Sequence, residues 1–284
     1  MATQVSIPDT EIHSLRSEII GDDFELWIAK PQAGFMPAPP QPPEVLFVLD
    51  ANLCFGTAVE MTRLMHKLYG ELPPIVVVGI AYPTENGLAQ SALRNRDFTP
   101  SADAGLTAMA SSLPASAQAF QVDPPMGGAE KFLRFLQAEV KPFLASRIEG
   151  AIAHSTIFGS SLGGLFVTYA LLSEPDAFKN YIAVSPALWW DNEMMFDMKA
   201  TQPQEQSQKH IFLAAGELEE APEIPILAQF KMITNAQRMA KRLSSQCDLP
   251  LSVASAIIPG ETHTSVIPVA LTRGLRSCFH PAIA

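Results

Sequence analysis

The segment Gly159-Ser160-Ser161-Leu162-Gly163-Gly164 sets a serine inside a G-x-S-x-G pattern. An apolar stretch, Thr156-Ile157-Phe158, leads into it, and a run with helix-forming character from Gly164 to Leu172 leads out. A serine on a tight strand-to-helix turn has its hydroxyl lifted clear of the sheet, and the turn needs neighbours without clashing side chains, which explains the glycines. The same turn aims the Leu162 N–H and the start of the helix at the place where an oxyanion develops. The chemistry this permits is nucleophilic attack by Ser161 on an acyl carbon. No Lys-Ser or Lys-Thr follows the glycines, so a phosphate-binding loop is excluded.

A serine nucleophile needs a base. In the strand–turn–helix setting the chain order is serine, then acid, then histidine. Six histidines are present; His13, His66 and His154 precede Ser161, and His210 opens a strand ahead of the acidic cluster. His280 lies in a tail beside Pro281. His263, in Gly260-Glu261-Thr262-His263-Thr264 just past the apolar run Leu251 to Ile258, sits where a base belongs, on a loop at the C-terminal edge of a sheet. Between the two lies Gly216-Glu217-Leu218-Glu219-Glu220, after the run Ile211 to Ala215. Any of these carboxylates can accept from the imidazole Nδ1; Glu219 is the first choice and Glu217 the second, with a Ser-His pair lacking an acid as the remaining option. The second oxyanion donor belongs to the loop after Val45 to Leu49, and the backbone N–H of Asn52 is the candidate.

These groups need a scaffold. Val45 to Leu49, Ile75 to Ile80 and Thr156 to Phe158 read as buried parallel strands, and Tyr181 to Val184, Ile211 to Ala214 and Leu251 to Ile258 as three more. Helical patterns fall at Thr57 to Tyr69, Gly128 to Ser146 (with Pro142 expected to kink or shorten it), Pro225 to Leu243 and Ser265 to Cys278. Ile12 to Ile20 and Phe24 to Ala29 read as a β-hairpin turning at Gly21-Asp22-Asp23, and Pro37 to Pro43 as a connector between strands. The alternation predicts an α/β-hydrolase fold over residues 1–284 as one domain, with a mostly parallel central sheet and helices on both faces. Residues 101–125, rich in Ala, Ser and Pro, break the rhythm and read as a loop or lid excursion.

Composition narrows the partners. Nineteen Lys and Arg against twenty-nine Asp and Glu leave a net charge of −10, which argues against nucleic acid and anionic membrane. Apolar residues make up 48 % of the chain, enough for a large core. No stretch approaches a membrane span, and the start Met1-Ala2-Thr3-Gln4 has no leader pattern. Cys54, Cys247 and Cys278 show no metal-ligand or redox spacing and read as reduced thiols of a cytoplasmic protein. No zincin motif or dinucleotide fingerprint is present, so neither metal nor organic cofactor is expected.

Several segments together resemble the esterase D-like branch of the α/β-hydrolases, in particular bacterial siderophore esterases that open trilactones. They are Val48-Leu49-Asp50-Ala51-Asn52, Ile75 to Tyr82, Arg94-Asn95-Arg96-Asp97-Phe98-Thr99-Pro100, Gly127 to Phe132, the Ser161 turn, Ser185-Pro186-Ala187-Leu188-Trp189-Trp190 and Gly216-Glu217-Leu218-Glu219. The resemblance implies Ser161 as nucleophile, His263 as base, Glu219 in the acid position and backbone donors at Asn52 and Leu162. Ala51 departs from it, standing where relatives usually carry glycine and placing a methyl group beside the oxyanion loop.

The expected reaction is two-step ester hydrolysis through an acyl-enzyme on a small-molecule ester. Trp189 and Trp190, with Arg94 and Arg96, are candidate pocket residues suited to an aromatic or anionic acyl group. Acyl transfer to an alcohol, thioester hydrolysis, and non-catalytic binding of a ferric chelate are the competing readings.

Overall fold

In a computed structural model, residues 5–35, 41–105, 126–148, 152, 155–205, 207–222, 228–246 and 249–280 are described. Eight strands form one sheet: β1 (Thr10–Arg16), β2 (Asp23–Ala29), β3 (Glu44–Val48), β4 (Ile75–Ala81), β5 (Thr156–Ser160), β6 (Asn180–Val184), β7 (Lys209–Gly216) and β8 (Leu251–Ile258). Their order is β1-β2-β4-β3-β5-β6-β7-β8. The β1–β2 and β2–β4 pairs are antiparallel and every other pair is parallel. The hairpin's first arm ends at Arg16 rather than Ile20. Ser17 turns out of the ladder to donate its hydroxyl to Glu139 at 2.6 Å, and the Glu18 N–H follows it at 2.9 Å.

The helices cover both faces. Helix α1 (Ala51–Tyr69) and the last helix, Val266–Phe279, close one face over a core that includes Phe55, Val59, Phe158, Ile182 and Leu271. Helix α2 (Gly87–Phe98), α3 (Ala129–Phe135), α4 (Lys141–Ala145), α5 (Leu162–Ser173) and α6 (Met232–Gln246) close the other, over an aromatic core of Phe24, Phe132, Phe135 and Phe166. Burial of these faces is the main favourable term holding the layers together. The last helix is α7 below.

Several helices depart from the sequence reading. Helix α1 begins at Ala51 rather than Thr57, because the chain leaves β3 through one left-handed residue, Asp50 (φ 52°, ψ 45°), and helical geometry starts at once. Pro142 does not end its helix. A five-residue π-turn, Leu136–Val140, joins α3 to α4, and Pro142 stands at the start of α4, where its missing N–H costs little. Helix α2 was not anticipated. Its apolar stripe is thin, with Asp97 and Phe98 its buried residues, and the readable signal was the Asn86 cap, whose Oδ1 accepts from the Leu88 and Ala89 N–H groups. Helix α6 starts at Met232, and residues 225–227 of the anticipated helix lie outside the described residues. So does 106–125, most of the anticipated excursion. Among the described residues no helix is long and apolar enough to cross a membrane.

Candidate active site

The parallel strands point their C-terminal ends to one edge, where the anticipated groups converge. Ser161 follows β5, Asp50 follows β3, Glu219 follows β7 and His263 follows β8. A crevice outside the carboxyl ends of such strands is where α/β proteins place ligands.

Ser161 occupies a sparsely populated conformation, φ 58° and ψ −118°, immediately before α5. The turn is held from both sides: its N–H donates to Val184 O at 2.9 Å, and its carbonyl accepts from Leu165 and Ala187. Gly159 is obligatory here, since a Cβ at that position would lie 2.4 Å from the Gly163 carbonyl oxygen. Leu162, as the first residue of α5, carries an N–H with no acceptor within its own helix.

His263 Nδ1 lies 2.6 Å from Glu219 Oε2. A carboxylate only accepts, so Nδ1 carries the proton and Nε2 is the nitrogen left for a partner. Glu219 is 1 % exposed. Its other oxygen, Oε1, accepts from the Ser185 hydroxyl at 2.5 Å and from the Gly216 N–H at 2.6 Å. The loops after β7 and β8 are pressed together to achieve this: the Leu218 N–H donates to Glu261 O at 3.0 Å, and a Cβ on Gly216 would sit 2.3 Å from that same oxygen. The imidazole's partner is Glu219 and not Glu217, which instead accepts from the Gly260 N–H at 2.9 Å, tying down the turn that carries His263.

Asn52 stands in the first turn of α1. Its side chain is doubly tied to the Tyr82 backbone, donating to Tyr82 O at 3.0 Å and accepting from the Tyr82 N–H at 2.9 Å. The segment after β3 is thereby fixed to the end of β4. The Ala51 methyl does not intrude on the site: it is buried against Gly79 of β4, and the adjoining cavity is walled by Asp50, Asn52 and Leu53 instead.

Two cavities meet at Ser161 and His263. The larger, about 570 Å³, is walled by Asn52, Thr57, Tyr82, Gln90, Arg94 and Ile267 among others. The smaller, about 110 Å³, is an aromatic slot lined by Trp189, Phe230 and Met232. The Trp189 and Phe230 rings lie 4.5 Å apart between centroids.

The four pocket candidates divide. Trp189 reaches the site. Trp190 is fully buried in the core, donating its Nε1–H to Ser101 O at 3.1 Å. Arg94 lines the large cavity but is clasped by Asp50, Nε to Oδ1 and Nη2 to Oδ2, both at 2.9 Å; that carboxylate raises its pKa despite the opposing effect of burial. Arg96 is not brought to the site. It binds Asp97 at 2.7 and 2.9 Å and Asp22 at 2.7 Å, beside a separate 220 Å³ hollow. Asp97 in turn accepts from the Tyr82 hydroxyl at 3.1 Å. Arg96 therefore braces the residue that holds Asn52, three contacts away from the chemistry. Among the described residues no cluster of His, Cys, Asp and Glu is suited to hold a metal ion.

Sequence reasoning missed Ser185, Phe230, Met232 and the clasp of Arg94 by Asp50. Only Ser185, which follows β6 at φ 43° and was present in the Ser-Pro-x-Leu-Trp-Trp stretch, left a readable trace.

A family model described as "Putative esterase" matches residues 17–248. The ferri-bacillibactin esterase BesA of Bacillus subtilis is 35% identical, over 97% of this chain and 91% of that protein. The crystal structure of BES protein from Bacillus cereus superposes with a TM-score of 0.77 at 28% identity, covering 99% of this chain and 98% of the other. The siderophore hydrolase EstB from Aspergillus nidulans superposes with a TM-score of 0.80 at 22% identity, covering 99% and 97%, and shares the fold.

Proposed function

This chain belongs to that esterase family and is an ester hydrolase of the α/β-hydrolase fold, and from that premise we propose that it opens siderophore-type lactone esters through an acyl-enzyme on Ser161, working as one domain. The observation that carries the proposal is the shared wall: Ser161, on its strained turn, and His263, already oriented by Glu219, line the same two cavities.

In this cycle His263 Nε2 takes the Ser161 proton as Oγ attacks the ester carbonyl. The Leu162 and Asn52 N–H groups hold the oxyanion, each donor contributing about 3–4 kcal/mol to the transition state. Glu219 stabilises the imidazolium without itself taking the proton. His263 then protonates the departing alkoxide, and a water activated by the same imidazole frees the acid. Two cavities flanking one nucleophile suit an ester whose acyl and alcohol parts are both bulky, as in a ring of linked hydroxy-acid units. Cys54 and Cys278 are both free thiols, which supports a reducing compartment, the cytoplasm.

The test is to incubate the purified chain with macrocyclic trilactones and a p-nitrophenyl ester, before and after treatment with a serine-directed phosphonate. Linear products, their loss on treatment, and a phosphonate adduct on Ser161 support the proposal. An unlabelled protein that binds a ferric chelate without cleaving it favours a binding role.

A further inference from the structure

We propose that Ser101 and Asp103 are positioning residues for Trp189, the aromatic wall of the slot beside His263, and that they act through a strained left-handed turn that follows it; this rests on the Ser161 reading above. Asp191 (φ 45°, ψ 60°), Asn192 (φ 56°, ψ 40°) and Glu193 (φ 62°, ψ 31°) all lie in the left-handed region. Residues other than glycine visit that region singly, because Cβ crowds the following carbonyl, so a succession of them needs support from outside. The Glu193 N–H returns to Trp189 O at 3.4 Å, closing the turn on the slot residue itself. The turn therefore sets the direction in which the chain leaves the slot wall.

The support comes from one short segment. The Asp191 N–H donates to Asp103 Oδ2 at 2.9 Å, and the Ser101 hydroxyl donates to Asp191 Oδ2 at 2.6 Å. The Ser101 carbonyl accepts from Trp190 Nε1 at 3.1 Å. At the far end, Arg238 Nη1 donates to Glu193 at 2.8 Å. Asp103 is 9% exposed, so its bond to the turn is shielded from water. Trp190 is locked in the core, and its ring lies 5.8 Å from that of Trp189, which in turn stacks on Phe230 at 4.5 Å. If the turn relaxes, Trp189 is the ring with room to move, because one of its sides faces the slot. Neither Ser101 nor Asp103 lines either cavity at Ser161, so the pair acts on the slot and not on the triad. The slot holds only about 110 Å³ against about 570 Å³ next to it. A small shift of an indole wall there changes which ester group fits.

The experiment uses the full chain labelled with 5-fluorotryptophan, the Trp189 resonance being assigned by Trp189→Phe. Asp103→Ala is expected to shift or broaden that resonance while the Trp27 signal does not move. Asp103→Asn, which keeps an acceptor for the Asp191 N–H, is expected to restore it. Kinetics follow on an ester panel whose acyl and alcohol parts are varied separately from small to bulky. Asp103→Ala and Ser101→Ala are each expected to change the bulky-to-small ratio of kcat/KM at one of the two parts by at least about fivefold. Asn192→Gly is expected to hold or raise the urea midpoint and Asn192→Val to lower it, since glycine adopts the left-handed turn without crowding. This pair keeps the test open if Asp103→Ala does not fold. Phosphonate labelling and turnover of the wild type test the earlier proposal separately, and if both fail the spectra and midpoints still decide this one. An unmoved Trp189 resonance, equal losses across the panel, or an Asn192→Val protein more stable than Asn192→Gly would each overturn the inference.

Discussion

The imidazole of His263 and the carboxylate of Glu219 meet at 2.6 Å, although 44 residues separate them in the chain. The carboxylate is buried and its second oxygen is fully engaged by Ser185 and Gly216. The imidazole is therefore aimed by a group that itself has no freedom to move.

Replacing that group has a sharp expected outcome. Glu219→Gln is expected to lower kcat about 10⁴-fold, because the amide no longer favours the imidazolium or holds the correct tautomer. Glu217→Gln, which only weakens the tie to the Gly260 N–H, is expected to cost no more than about tenfold. Steady-state kinetics on one ester decides the point, and equal losses from the two would remove Glu219 from its special position.

Ser185→Ala tests the support behind the carboxylate. Loss of the 2.5 Å bond leaves Glu219 Oε1 one donor short in a buried place, with an expected destabilisation of about 1–3 kcal/mol. Because Gly216 still donates, kcat is expected to fall less than for Glu219→Gln. Urea unfolding and kcat on the same preparation read both effects.

Asp50 and Arg94 form a second shielded unit, joining the left-handed turn after β3 to α2. Arg94→Met is expected to destabilise the protein by about 3–5 kcal/mol, since it strands the Asp50 carboxylate, whereas removing both charges with Asp50→Asn and Arg94→Met together costs less than the sum. A double-mutant cycle by denaturant unfolding measures this; strict additivity would show that the pair is not coupled.

Cys54 lines the large cavity, but burial, reinforced by the Asp50 charge, pushes its thiol up to about 12. The thiolate is the reactive form, so at pH about 8 the native protein is expected to resist iodoacetamide at Cys54 while the unfolded chain is modified. Peptide mass spectrometry after timed labelling checks it.

Lys141 supplies a pH test. Its ammonium reaches the Ala177 carbonyl and lies 4.5 Å from the Phe178 ring centre, and burial together with the Lys209 charge lowers its pKa from 10.5 to about 8. The unfolded chain then binds more protons between those values, so this residue's contribution rises with pH from about 8 and is complete above 10.5. Compared with Lys141→Met, the wild type is expected to gain stability across that window, by no more than about 1.4 kcal/mol per pH unit. Parallel slopes for the two proteins would refute it.

Much of this was legible locally. The Ser161 turn could be read because a strand, three glycines and a helix impose their geometry within a dozen residues, and the β-strands because a doubly covered sheet demands unbroken apolar runs. His263 followed from chain order once the turn was recognised. Helix α2 escaped notice because it buries little, so its periodicity was too faint to stand out.

The amino-acid sequence by itself determined the candidate nucleophile, the order of the candidate groups and the layered architecture, because each is encoded in spacing along the chain. Tertiary structure alone decided which glutamate meets the imidazole, that Arg94 faces the cavity already neutralised, and that Arg96 serves elsewhere. Those outcomes depend on partners brought together through space, Asp50 with Arg94 and Asp22 with Arg96, and a charge's role is set by the neighbour it finds after the chain has folded.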